Sequence, residues 1–404
     1  MDGAVDLGRK VAGAVAALLL ASAIGAQEGE PPAPPPPAPP PPAAVPASPE
    51  RENLLPNLDF YFPEGELDFR LHTLVKGSFY EGQLRYNFVK GDIQAFLRYR
   101  YYARKNVYQL GLFDTIEIDP IEKGSNDFER TRGGLFLVNR PVNHDNRFFF
   151  LGEVDRTSSS KEELLFTTNR TNTFVRLGYQ LGTPDDVRLN SIVGETRAQR
   201  RNLFTAHRKI GPGGAGFSAA VTWGFEALLG DFDFVKLELA GLKRFHLGDE
   251  AFIVLRAHGG TFPRKVAVRP EEDFDSPDRY SIPRGELFRL DGRDNLKGLK
   301  GSRRGTEELH ATFELFLPWF LGANRRAFNA DWDSWYWILY GGYGAIGFDR
   351  AVLGDASNYI ADAGVGFETS LRLKGYTLFI AGIVARTFDA DAAFQARFDI
   401  KALH

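Results

Sequence analysis

The chain has 404 residues and no cysteine, and its 49 basic and 52 acidic side chains leave a net charge of −3 at pH 7. So even a balance sets up no global field toward nucleic acid or anionic lipid, and without cysteine there is no disulfide framework and no thiolate metal site. Aromatic residues make up 13% of the chain, with 34 Phe against 5 Trp. That is rich for a soluble protein and ordinary for a barrel girdled by rings at two membrane interfaces.

At the N-terminus, Arg9 and Lys10 precede the apolar run "VAGAVAALLLASAIGA", which closes on small residues around Ala23 and Ala26. A basic region, an apolar core and an A-x-A-like site predict a secretory signal peptide over residues 1–26. The run is short of the roughly 20 residues a spanning helix needs. Residues 27–54 include "EGEPPAPPPPAPPPPAAVPASPE". Proline at this density is extended and packs against nothing, which predicts a disordered spacer. The spacer leads straight into residue 55, with no room for a folded periplasmic domain before it.

From residue 55 to 404 the pattern changes to alternation at period two. In "IQAFLRYRY", Ile93, Ala95, Leu97, Tyr99 and Tyr101 oppose Gln94, Arg98 and Arg100. In "TFVRLGYQL", Val175, Leu177, Tyr179 and Leu181 oppose Arg176 and Gln180, and in "VKLEL" Val235, Leu237 and Leu239 oppose Lys236 and Glu238. The closing "FQARFDI" sets Phe394, Ala396, Phe398 and Ile400 against Gln395, Arg397 and Asp399. Successive side chains of a strand point to opposite faces, so each segment has one apolar and one charged face. Full charges in mid-strand suit a water-filled lumen, and Phe, Tyr and Leu opposite them suit lipid. A spanning sheet must then close, because unpaired backbone cannot face hydrocarbon. At about 22 residues per strand with its share of turn, the length predicts an all-β, transmembrane antiparallel barrel of about sixteen strands. Tight-turn signals such as "LGTPDD" (181–186) and "ALLGDFD" (227–233) alternate with long polar stretches such as "PIEKGSNDFERTRGG" (120–134).

One segment fits neither strand nor core. "DGRDNLKGLKGSRRG" (291–305) holds four glycines and five basic residues between two strand-like runs. The wider run "FRLDGRDNLKGLKGSRRGTEELHATFELFLPWF" (288–320) resembles the signature region of the bacterial surface antigen superfamily, to which BamA, TamA and the two-partner secretion pores belong. In that family a long loop carries a (V/I/L)-R-G-(F/Y) tetrapeptide and the next strand reads E-x-R-F-P. The tetrapeptide here is Leu296-Lys297-Gly298-Leu299, and Glu314-Leu315-Phe316-Leu317-Pro318 keeps the glutamate and the proline. The resemblance implies a sixteen-stranded outer-membrane barrel, a pore or a protein translocation and assembly barrel, whose sixth loop folds into the lumen. There the family's arginine meets the Asp of an F-x-D-x-G strand. The best match to that strand, "YGGYG" (340–344), has Gly342 where Asp is expected, with weaker support for the resemblance from "DAGVGFE" (362–368). With Lys297 in place of the arginine, Glu314 and Asp349 are the candidate charge partners. Lysine is a point charge and cannot reproduce the bidentate contact of arginine.

The expected partners are outer-membrane lipid and either an unfolded protein client or small solutes, with no nucleic acid and no cofactor. The seven histidines are scattered, and no H-E-x-x-H or carboxylate–histidine cluster in the sequence suggests a metal. The alternative is an outer-membrane lipid hydrolase, for which His310 close after Ser302 is the one pairing available, since such an enzyme needs a serine with a histidine base. Gly342 to Gly347 formally match G-x-G-x-x-G, but no helix follows to present its N-terminus to a pyrophosphate.

Overall fold

Strands with one charged and one apolar face can satisfy their backbone in hydrocarbon only by pairing all the way round, and the chain does so. The structure is a computed structural model. It describes residues 55–403 except 63–65, 76–77, 89–91, 103–105, 119–127, 143–145, 160–169, 182–214, 227–229, 248–250, 267–279, 284, 293–294, 328–329, 374–375 and 389–392. The signal-peptide and spacer expectations, and the "LGTPDD" turn after residue 181, lie outside the described residues.

Strands β1 (Leu55–Phe62), β2 (Glu66–Val75), β3 (Ser78–Asn87), β4 (Ile93–Tyr102), β5 (Val107–Ile118) and β6 (Phe128–Pro141) form the first part of the wall. Next come β7 (Asn146–Ser159), β8 (Arg170–Leu181), β9 (Ala215–Gly224), β10 (Phe234–Leu247) and β11 (Ala251–Lys265). A separate two-stranded hairpin, β12 (Phe288–Asp291) with β13 (Ser302–Gly305), interrupts the wall. The wall resumes with β14 (Glu307–Ala327), β15 (Ala330–Gly347), β16 (Ile360–Leu373), β17 (Tyr376–Thr387) and β18 (Phe394–Leu403). Sixteen antiparallel strands close into a barrel through β1 and β18, with β11 pairing directly to β14. The closing seam is short, with Leu58–Phe62 facing Phe398–Ala402. An even strand number puts both ends of the barrel chain on one rim and the 266–306 connection on the other.

Two turn expectations are corrected. Residues 128–134 of the stretch read as a polar loop belong to β6, because Thr131 and Gly133 pair with Thr115 and Phe113 in the β5 ladder. "ALLGDFD" joins β9 to β10 on the rim of the 266–306 connection, not on the rim of the tight turns.

The faces fall as the alternation predicts. Leu97 is 62% exposed and Leu112 63%, while Arg98 and Gln109 on the same strands are buried. Leaving a leucine side chain in water forgoes roughly 1.5–3 kcal/mol, so an outside lined by Leu84, Leu97, Leu110, Leu112, Leu239 and Val365 suits hydrocarbon, not water. Inner polar groups pair across strands: Arg85 Nη1 donates to Gln94 Oε1 at 2.8 Å, and Asn172 Nδ2 to Asp155 Oδ2 at 2.9 Å. No described helix is long and apolar enough to cross a membrane.

The inner face also carries phenylalanines, among them Phe113, Phe149 and Phe234. Each is opposed in register by a glycine: Gly133, Gly178 and Gly224. A Cβ on Gly133 would lie 2.5 Å from Phe113 Cζ and 2.6 Å from the Val154 carbonyl oxygen, so the ring fills the space the glycine leaves. Gly133→Val is expected to cost about 1–3 kcal/mol by overpacking, because backbone as well as ring must move. Gly152→Val, on the outward face with nothing nearer than 3.9 Å, is expected to be neutral. The fraction of heat-modifiable protein on a semi-native gel after refolding, with the urea midpoint, distinguishes the two.

Candidate functional site

The segment between β11 and β14 is the part of the chain that the wall does not use. It combines apolar residues that need cover with glycines that allow close approach, and its contacts fall on two opposed parts of the wall. On one side Glu286, buried, lies 2.8 Å from Arg176 Nη2 on β8 and 3.8 Å from Lys236 Nζ on β10. The Phe288 ring lies under Lys236 Nζ, 4.6 Å from its centroid, and takes the space that a Cβ on Gly260 would need.

On the other side sits the tetrapeptide Leu296-Lys297-Gly298-Leu299, all four residues buried. Its leucines pack with Leu290 and Ile360 in a small apolar cluster, which is why leucine serves where the family pattern has an aromatic. Gly298 donates its N–H to Asp362 Oδ2 at 2.7 Å, and Lys297 donates its N–H to Tyr340 Oη at 3.1 Å. The Tyr340 hydroxyl in turn lies 2.9 Å from the Asn295 carbonyl and 3.1 Å from Asp362 Oδ1. Arg397 on β18 completes the set, donating to the Lys297 carbonyl at 3.1 Å and to the Leu299 carbonyl at 3.0 Å. A Cβ on Gly298 would fall 2.6 Å from the Arg386 carbonyl carbon, so only glycine lets the loop come this close to β17. Gly301, at φ +79°, turns the chain toward β13.

The missing aspartate of "YGGYG" is therefore supplied from the next strand. Gly342 and Asp362 are direct cross-strand partners, and a Cβ on Gly342 would lie 2.3 Å from Asp362 Oδ1. The carboxylate has moved one strand along and occupies the volume that the glycine vacates. The guanidinium missing from the tetrapeptide has its counterpart in Arg397, although it binds loop carbonyls and not a carboxylate.

Lys297 is fully buried, and its charge bears on Asp362. Glu314 is also fully buried and has Arg256 Nη1 as its ion-pair partner across the β11–β14 ladder. The expectation for Asp349 is corrected: it is exposed beyond β15, and its Oδ1 accepts the Ala351 N–H at 2.9 Å, closing the local turn that leads into the helical turn Ala351–Gly354. The short side chain satisfies that open turn and is spent there. Ser302 is exposed on β13, and His310 turns Nδ1 to Glu308 Oε1 at 2.8 Å. Sequence reasoning missed Tyr340, Asp362 and Arg397. The signal for Asp362 was an Asp-x-Gly run, Asp362-Ala363-Gly364, in the strand beside the one lacking its acid.

Asp362→Asn is expected to remove a charge-assisted hydrogen bond worth about 1.5–3 kcal/mol, and Gly298→Ala to undock the tetrapeptide outright. Limited proteolysis between Phe288 and Gly305 reads both, and fragments should appear sooner in each variant than in the parent. A Gly342→Asp substitution should be tolerated better in an Asp362→Gly background than alone, by a urea-midpoint double-mutant cycle.

No protein-family model and no curated protein sequence matches the chain. Solved structures do. BamA from Haemophilus ducreyi lacking POTRA domains 1–3 superposes with TM-score 0.61 at 11% identity, over 87% of this chain and 70% of that one. CdiB from Escherichia coli gives 0.59 at 12% identity, over 89% and 63%. CdiB from Acinetobacter baumannii gives 0.53 at 12% identity, over 88% and 60%. The chain thus spans less than two thirds of the CdiB chains. By fold, the chain is a closed sixteen-stranded antiparallel β-barrel similar to those of BamA and CdiB.

Proposed function

We propose that the chain is an outer-membrane conduit of the translocation and assembly class, in which residues 286–299 lie across the bore as an internal plug. The observation that carries this reading is the pair of anchorages on opposed walls. Arg176 belongs to the eighth wall strand and Arg397 to the sixteenth, half a circuit apart in a sixteen-stranded barrel. A segment bound to both spans the lumen. A plug of this kind acts by positioning: it lets the barrel stay closed to leakage while a local rearrangement opens a path for a polypeptide or a solute.

The tip beyond the tetrapeptide supplies charge. Lys300 and Arg303 are exposed and Arg304 half-buried, so the loop adds cations that favour anions near the opening. Lys297 contributes little to such a field because it is buried and engaged in the docking.

The test is single-channel conductance of the refolded barrel. Replacing residues 291–305 with a short Gly-Ser linker should turn a small, unsteady conductance into a large, steady one. The triple variant Lys300→Glu, Arg303→Glu, Arg304→Glu should shift reversal potentials toward cation preference. Equal conductance and equal selectivity in all three proteins would put the loop outside the permeation path and end the plug reading.

A further inference from the structure

Two of the scattered histidines meet. His258 on β11 and His310 on β14 are direct cross-strand partners, with ring centroids 5.3 Å apart. Glu308, two residues along the same face of β14, places Oε2 3.1 Å from His258 Nδ1 and Oε1 2.8 Å from His310 Nδ1. The donor atoms of all three lie within 4.8 Å of one another. His258 Nδ1 is buried, with the Glu308 carboxylate oxygen beside it but not aligned for a good hydrogen bond.

We propose that His258, Glu308 and His310 form a binding site for a late first-row divalent transition-metal ion, with zinc as the type case. Two imidazole nitrogens and one carboxylate oxygen are a donor set that zinc, copper and nickel accept and that calcium and magnesium, which take oxygen ligands, do not. Tetrahedral bonds of about 2.0–2.2 Å set donors about 3.4 Å apart, close to the 3.1 and 2.8 Å at which Glu308 already meets the two imidazoles. The two histidines come from adjoining strands and the glutamate from a third backbone position, so three ligands converge from one side and the remaining coordination position faces the bore.

The loop braces these side chains from the bore side. Asn295 Nδ2 donates to Glu308 Oε1 at 3.3 Å and to the Arg289 carbonyl at 2.9 Å, and the Phe288 ring lies edge-on to His258 at 6.1 Å. An ion here would fix the carboxylate on which Asn295 rests, coupling metal occupancy to loop docking. The site stands on wall residues alone, so it holds whatever passes through the barrel.

The experiment is zinc titration of the full chain refolded in detergent, by chelator competition, with calcium as a comparison cation. One zinc per chain is expected, with no calcium binding. His258→Gln/His310→Gln should abolish that equivalent, and Asn295→Ala should keep the stoichiometry but weaken affinity about tenfold, as the loss of a group bracing a ligand does. Heat-modifiable mobility confirms that each variant has closed its barrel, and variants are compared only as folded protein. Zinc bound equally by the double variant would assign it to the other histidines (His72, His144, His207, His246, His404) and overturn the proposal. So would a parent protein that takes up no zinc.

Discussion

The structure turns on a buried carboxylate that must be satisfied. Asp362 is 3% exposed on the inner wall, and an ionised acid so placed is costly unless donors converge on it. The Gly298 amide and the Tyr340 hydroxyl are those donors, and one of them belongs to the loop. Satisfying the wall therefore requires docking the loop, and the same need explains the neighbouring choices. Gly342 leaves room for the carboxylate, Gly298 allows the backbone to approach, and Arg397 ties down the two carbonyls on either side of the Gly298 amide.

Around this point the barrel is organised inside out. Leucines and aromatics cover the outer face, while Arg, Glu and Asn line the bore and pair across strands. Phe113, Phe149 and Phe234 turn inward against glycines, and Phe252 and Phe316 stack on each other, so the interior has rings without crowding. Phe288 repeats the device between loop and wall by lying against Gly260. The outer face has its own concentration of rings: Trp319, Trp335 and Trp337 lie within about 6 Å of one another across β14 and β15, with Phe367 stacked on Trp335. Amphipathic rings of this kind favour the membrane–water interface.

Much of the architecture was legible because it depends on period and length. Alternation in 93–101, 175–181, 235–239 and 394–400 gave the correct inner and outer faces, and chain length gave the strand number. The special segment also stood out, since glycine and charge together fit neither face. Partners across the barrel were not legible. Asp362 and Gly342 are twenty residues apart and meet only through the β15–β16 register, which turns in the sequence do not determine. Asp349 was attractive by type and proximity, yet a local turn bond to the Ala351 N–H claims it. His258 and His310 looked scattered because β12, β13 and their connections separate two strands that are adjacent in space.

The loop's docking on the inner wall is read by amide hydrogen exchange of the barrel in lipid nanodiscs. A docked loop should show Leu296–Leu299 exchanging as slowly as the neighbouring strands β15 and β16, while Lys300 and Gly301, ahead of the β12–β13 hairpin pairing, exchange fast. Equal, fast exchange through the whole of 295–303 would contradict it, because no loop held by Asp362, Tyr340 and Arg397 could behave that way.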